Sequence, residues 1–102
     1  MTKYIYIVVR SDLSKEQQLV QACHAAIKAT FQFDSDPRSS LVVLKVDNKA
    51  GLNEVANQLI KTNIKHEMFY ESWGSIGNTA LATNPISKQE EGILNTLDLL
   101  KY

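Results

Sequence analysis

Four polar side chains, Gln17, Gln21, His24 and Lys28, recur at intervals of four, three and four residues. In an α-helix that spacing sets them on one stripe. Glutamine and lysine fill many solvated helix faces for reasons of propensity alone, so Gln17 and Gln21 read first as surface residues. His24 is different, because alanines at positions 22, 25 and 26 leave its ring little local cover. An imidazole, with an ordinary pKa of about 6.5, takes a proton from water or returns one to an alkoxide at neutral pH. On the pattern alone, a functional and a structural role for His24 stand level, and the stripe is expected to face a concavity. Cys23 falls about 100° away, on what reads as the apolar side, and is expected to be a small buried core residue. His66 reads as an edge-strand residue. Trp73, on a loop with two glycines, reads as either a core plug or a platform for a base or side chain.

These residues need elements to position them. Tyr4 to Val9 is apolar on both alternating faces, as a central strand must be. Ser14 stands three residues before Gln17, a capping-box spacing that opens a helix from about Lys15 to Phe31, with Leu19, Cys23, Ala26, Ile27 and Thr30 on its inner side. Asp34 to Ser40 has loop composition, and Leu41 to Val46 makes a second covered strand. After Asn48, an amphipathic helix buries Leu52, Val55, Leu59 and Ile60 and ends at Asn63 in a left-handed turn. His66 to Glu71 mixes charges with aromatics and suits an edge. Its partner, Thr79 to Thr83, has side chains small enough for a helix to approach closely, across a loop from Ser72 to Asn78. Pro85 and the pair Ser87 and Glu90 open a last helix with Ile93, Leu94, Leu97 and Leu100 inward.

The expectation is a single α/β domain over residues 1–102. It is a three-layer α/β/α arrangement with a mixed four-stranded sheet, in the order β-α-β-α-β-β-α. If the fourth strand runs parallel to the first, the 72–78 loop falls where the first strand begins, near the later half of the first helix.

Composition closes off several classes. Eleven Lys and Arg balance eleven Asp and Glu, so no bulk positive field drives nucleic-acid binding, although a local basic patch survives that test. With 44% hydrophobic and 22% charged residues the chain suits a globular domain rather than a disordered one. One cysteine allows no internal disulfide and no cysteine-based metal site, which suggests the reducing cytosol. The apolar run Ile5 to Val9 is too short for a membrane span or a signal segment. No nucleotide-binding glycine loop, serine elbow or zinc-protease motif is present.

The stretch Val8-Val9-Arg10-Ser11-Asp12-Leu13, followed by Val20-Gln21-Ala22-Cys23-His24-Ala25-Ala26, resembles the opening of the type 2 peptidyl-tRNA hydrolase family. Val42 to Val46 is similar to that family's second strand, and Asn78 to Pro85 to its last strand and closing proline. Asn63-Ile64-Lys65-His66 with Glu71 resembles more closely a divergent branch, the peptidyl-tRNA hydrolase domain-containing proteins. Where the family carries Gly-Lys this chain has Glu16-Gln17, and Lys15 lies about 200° round the helix from Gln17. The family loop between the last two strands is shortened here to 71–78, with Glu71 standing in for its acidic residue.

The resemblance implies a four-stranded mixed sheet between helices and hydrolysis of the ester joining a peptide to the terminal ribose of tRNA. It implies no cofactor and no metal. The expected partner is peptidyl-tRNA, with a homodimer as one arrangement that self-complementary surfaces would support, and with neither DNA nor a membrane involved. His24 is expected to act as base or proton shuttle, Glu71 to orient it or a water, and Gln21 and Thr79 to hydrogen-bond water or carbonyl. Arg10, Lys15, Lys28, His66 and Trp73 are the expected substrate contacts. A tRNA- or protein-binding module without chemistry is the alternative, and a small-molecule-binding regulator has no motif in its favour.

Overall fold

The computed structural model describes residues 3–34, 36 and 38–100. Ser35 and Pro37 of the expected 34–40 loop lie outside the described residues. The central strand is β1 (Lys3–Arg10), in which Ile5 to Val9 are all buried. It runs parallel to β2 (Ser40–Val46), joined by α1 (Lys15–Phe33), and antiparallel to β4 (Gly77–Thr83). After β2 the chain forms α2 (Lys49–Lys61) and the edge strand β3 (His66–Glu71), which pairs antiparallel with β4.

Burial on both faces of β1 follows from a helix on each. Tyr6 and Val8 pack with Leu52, Val55 and Leu59 of α2, whereas Ile5, Ile7 and Val9 pack with Ala22, Ala25 and Ala29 of α1. Local signals behave as the residue types require. The Ser14 side chain accepts from the Gln17 N–H, the Asn48 side chain accepts from Gly51, and Asn63 takes φ +65° after α2.

Four expectations are corrected. The sheet has six strands rather than four, because the chain after β4 runs back past it twice. The pairs β5 (Ile86–Ser87) and β6 (Asp98–Leu99) add short antiparallel ladders to Lys3 and Tyr4 of β1 and to Leu44 and Lys45 of β2. β4 pairs with β1 over Ile7 to Val9, which leaves the start of β1 open to β5. The last helix is replaced by two 3₁₀ turns, Lys88–Glu90 and Gly92–Thr96. The capping box of Ser87 and Glu90 forms, but Gly92 at φ +50° interrupts any α-helix it could start.

The third correction concerns the face of α1. It buries Gln18, Gln21, Ala22, Ala25 and Ala29 and leaves Leu19, Cys23 and Ile27 exposed, so Cys23 is not a core residue. Alanines on α1 meet Ala80 and Ala82 of β4, and this close approach is open only to small side chains. Finally, β4 is antiparallel to β1, so the loop before it sits where β1 ends, beside the first half of α1.

On the α2 face, the buried Tyr6 hydroxyl donates a 2.6 Å hydrogen bond to Glu91 Oε2 and ties the 3₁₀ segment to β1. Burial, and then the bond to and charge of Glu91, push the phenol up to about 12. A raised folded-state pKa means that the associated stability is complete below pH 10 and is lost as pH rises from 10 to 12. Melting followed across that window should show a steep loss, on the order of 2 kcal/mol from this group. Tyr6→Phe should abolish that part of the pH dependence; an unchanged slope would show that the phenol does not cause it.

Candidate functional site

The end of β1 is held by hydrogen bonds that also shape the neighbouring loop. Arg10 donates through Nη1 to the carbonyls of Ile76 (2.8 Å) and Asn78 (3.0 Å), while Nε and Nη2 make two 2.9 Å bonds to Asp12. Those bonds hold the Asp12 carboxyl below its usual range, against an opposing effect of burial. Gln18, also buried, donates to the carbonyls of Ser11 and Leu13 and fixes the turn into α1. Arg10, expected to contact substrate, braces the chain at this end of β1.

One turn further along α1, Gln21 is 2% exposed and sits at the centre of a polar network. Its Nε2 donates to Gln17 Oε1 (3.1 Å) and Glu71 Oε2 (3.4 Å), and its Oε1 accepts from the Thr79 hydroxyl (2.9 Å). The Thr79 hydroxyl is shared with the Phe69 carbonyl at 3.2 Å. A buried amide left without partners would cost about 1–3 kcal/mol, and here both of its ends are satisfied.

Thr79 reaches α1 because of a bulge. The ladder pairs Phe69 with Ala80 but Tyr70 with Asn78, so Thr79 is an extra residue in β4. Strict alternation would turn Asn78 to the α1 side with Ala80 and Ala82. The bulge sends Thr79 there instead and leaves Asn78 to donate to Asn53 of α2 (3.0 Å).

His24, three residues beyond Gln21, is exposed, and its ring lies flat on Phe69 with centroids 4.6 Å apart and planes 7° from parallel. Phe69 and Glu71, two residues apart on β3, both turn toward α1, the first to His24 and the second to Gln21. Glu71, expected to orient His24 or a water, accepts from Gln21 and, at 3.5 Å, from the Trp73 N–H. Lys28 donates to the Met68 carbonyl (2.9 Å) and lies 3.7 Å from Glu67, so the polar stripe is laid along β3. Lys15 is exposed at the start of α1. His66 pairs with Thr83 at the opposite end of β3 and does not join the site. Trp73 is 70% exposed, which excludes the core-plug reading.

Gln21, Glu71 and Thr79 therefore meet although 58 residues separate the first from the last. Sequence reading missed the part played by Phe69 as a shelf for the imidazole, and the Gln18 clamp. An aromatic on the inward register of an edge strand was the available signal for Phe69; nothing local distinguished Gln18 from Gln17. Among the described residues no group of three or more histidine, cysteine or acidic side chains is placed to hold a metal ion. No described helix is long and apolar enough to cross a membrane.

A mixed sheet with a helix packed on each face, and a polar network between α1 and the β3–β4 end of the sheet, defines an α/β domain. The family model for peptidyl-tRNA hydrolase PTH2 matches residues 4–100, and the chain belongs to that family. A human protein named "Putative peptidyl-tRNA hydrolase PTRHD1" is 31% identical over 104 residues, covering 85% of this chain and 74% of the relative. The mouse protein of the same name is 30% identical over 102 residues, covering 83% and 72%. Among solved structures, the Agrobacterium protein of unknown function Atu0240 shares the fold with a TM-score of 0.77 at 14% identity, over 99% of both chains.

Proposed function

We propose that the protein hydrolyses the ester between a peptide and the terminal ribose of tRNA, releasing the peptide as a carboxylate and the ribose oxygen as a hydroxyl. The observation that carries this reading is the exposed imidazole of His24 stacked on Phe69, two residues along β3 from a carboxylate, Glu71, that a buried amide holds in place. Membership of the PTH2 family supports the substrate class.

In this reading a water sits between Glu71 and His24 and gives up its proton as it attacks the carbonyl carbon. His24 carries that proton to the departing ribose oxygen. Gln17 Oε1 is occupied by Gln21, which leaves the Gln17 Nε2 protons to donate to the oxyanion of the tetrahedral intermediate. Gln21 and Thr79 spend their polar atoms on each other and their neighbours, so they are positioning residues and not substrate contacts. Lys28, on the stripe, and Lys15, at the start of α1, are the cations assigned to backbone phosphates. The reaction belongs in the cytoplasm, where peptidyl-tRNA arises.

A second reading, a binding module for tRNA without chemistry, is favoured by one observation: α1 opens with Glu16-Gln17 where the family it resembles has Gly-Lys. The assay that decides is release of peptide from purified N-blocked peptidyl-tRNA, with tRNA binding measured alongside. Saturable turnover upholds the hydrolase; binding with the ester left intact establishes the module instead.

A further inference from the structure

β3 ends the strand order of the sheet, so one of its edges has no neighbouring strand. The Asn84 N–H donates to the Lys65 carbonyl, and the Phe69 carbonyl lies 3.2 Å from the Thr79 hydroxyl, so the odd-numbered residues turn their peptide groups to β4. Alternation then turns those of His66, Met68 and Tyr70 to the open edge. Among the described residues the group found on that edge is Lys28 of α1, whose Nζ donates to the Met68 carbonyl at 2.9 Å. A lysine there discourages pairing with a second copy, but a carbonyl has two lone pairs and still accepts a peptide N–H.

This edge leads into the candidate site. Phe69, under the His24 ring, and Glu71, the last residue of β3, turn to the α1 side, whereas Met68 packs on the α2 side. Tyr70 follows Met68 by alternation and is 63% exposed. A chain laid along the edge therefore reaches Glu71 at one end and sets its side chains alternately on the two faces of the sheet, with Tyr70 as an apolar neighbour on the α2 side.

The chemistry of the substrate selects the occupant. A peptide esterified to tRNA carries whatever sequence was being made, so the feature common to all such substrates is an extended backbone. A strand edge recognises that backbone through main-chain hydrogen bonds whatever the side chains are. We propose that the peptide of the substrate adds as a strand to the open edge of β3. Its esterified C-terminal end lies at Glu71, and because β3 also runs toward Glu71 the added strand is parallel to it. The reach from His66 to Tyr70 fits about four residues of peptide at roughly 3.3 Å each. The proposal rests on the hydrolase reading, which places the ester at Glu71 and His24.

The probe is tRNA carrying a peptide through a stable amide at the terminal ribose, titrated into the wild-type protein. Affinity should rise with peptide length and level off after about four residues. In a parallel pair every second residue directs its N–H and carbonyl at the neighbouring strand. N-methylation at successive peptide residues should therefore weaken binding by about tenfold at alternate positions and little between them. The same alternation should appear in KM for the ester substrates while kcat changes little. Tyr70→Pro removes an outward N–H from an edge strand, where proline is tolerated, and should bind about tenfold more weakly than Tyr70→Ala, which keeps that N–H.

If the ester is cleaved with no dependence on peptide length or N-methylation, strand addition is refuted and the hydrolase stands. If the alternation appears in binding without ester cleavage, strand addition stands and the hydrolase reading falls. A loss of the same size at every methylated position refutes strand addition, because it shows no alternation. If Tyr70→Pro changes the sedimenting mass and leaves the affinity as it was, the edge belongs to a second copy of the chain and the proposal is overturned.

Discussion

Replacing His24 by alanine should lower peptide release from peptidyl-tRNA by about a hundredfold or more, which is the usual contribution of a positioned general base. Glu71→Gln should cost a similar factor. It keeps the shape and the contact with Gln21 but removes the charge that orients the water. Because the two groups handle one water, the double variant should be little worse than the poorer single one. His24 is exposed and rests only on the partly buried Phe69 at the margin of the core, so the alanine variant should fold and melt close to the wild type. Steady-state kinetics with tRNA binding in parallel gives the answer. A loss seen in KM alone would make His24 a binding residue, and equal turnover by both variants would remove both from the chemistry.

The second large effect should come from a residue that touches no substrate. Ala25 is fully buried between α1 and β4, where Ala22, Ala29, Ala80 and Ala82 also pack. Ala25→Leu should destabilise the protein by about 1–3 kcal/mol, because the added atoms enter a closed contact between a helix and a strand. It should also lower activity more than stability alone explains. Pushing α1 off the sheet lengthens the 2.9 Å bond from Thr79 to Gln21 and the already long 3.4 Å reach from Gln21 to Glu71. Chemical denaturation and kinetics on the same preparation would test both halves. A variant that loses stability but retains full turnover would show that this spacing does not tune the site. Ala25→Gly, which removes bulk instead, should leave the helix position unchanged and cost mainly helix propensity, about 1 kcal/mol.

These two expectations differ in how far the sequence alone leads to them. The period of apolar residues determined that Tyr4 to Val9 is a covered central strand and that His66 to Glu71 lies at an edge. Capping chemistry determined where both helices begin, because Ser14 and Asn48 satisfy free N–H groups within three residues of themselves. The polar stripe of α1 was equally visible, since helical spacing alone sets which side chains are neighbours.

Which way α1 faces was not visible. Leu19, Cys23 and Ile27 form the more apolar row, yet the helix buries the row that carries Gln18, Gln21 and three alanines. That choice rests on tertiary partners: small side chains on β4 reward small side chains on α1, and the amides find hydrogen bonds on Ser11, Leu13, Glu71 and Thr79. The end of the sheet that holds the site was decided in the same way, by β4 running antiparallel to β1. Even the presence of Thr79 in the site depends on one extra residue in β4. A bulge reverses the alternation that the sequence would have followed, and only pairing with β3 reveals it. Local spacing determines which side chains are neighbours on an element; contacts between elements decide which of them face each other.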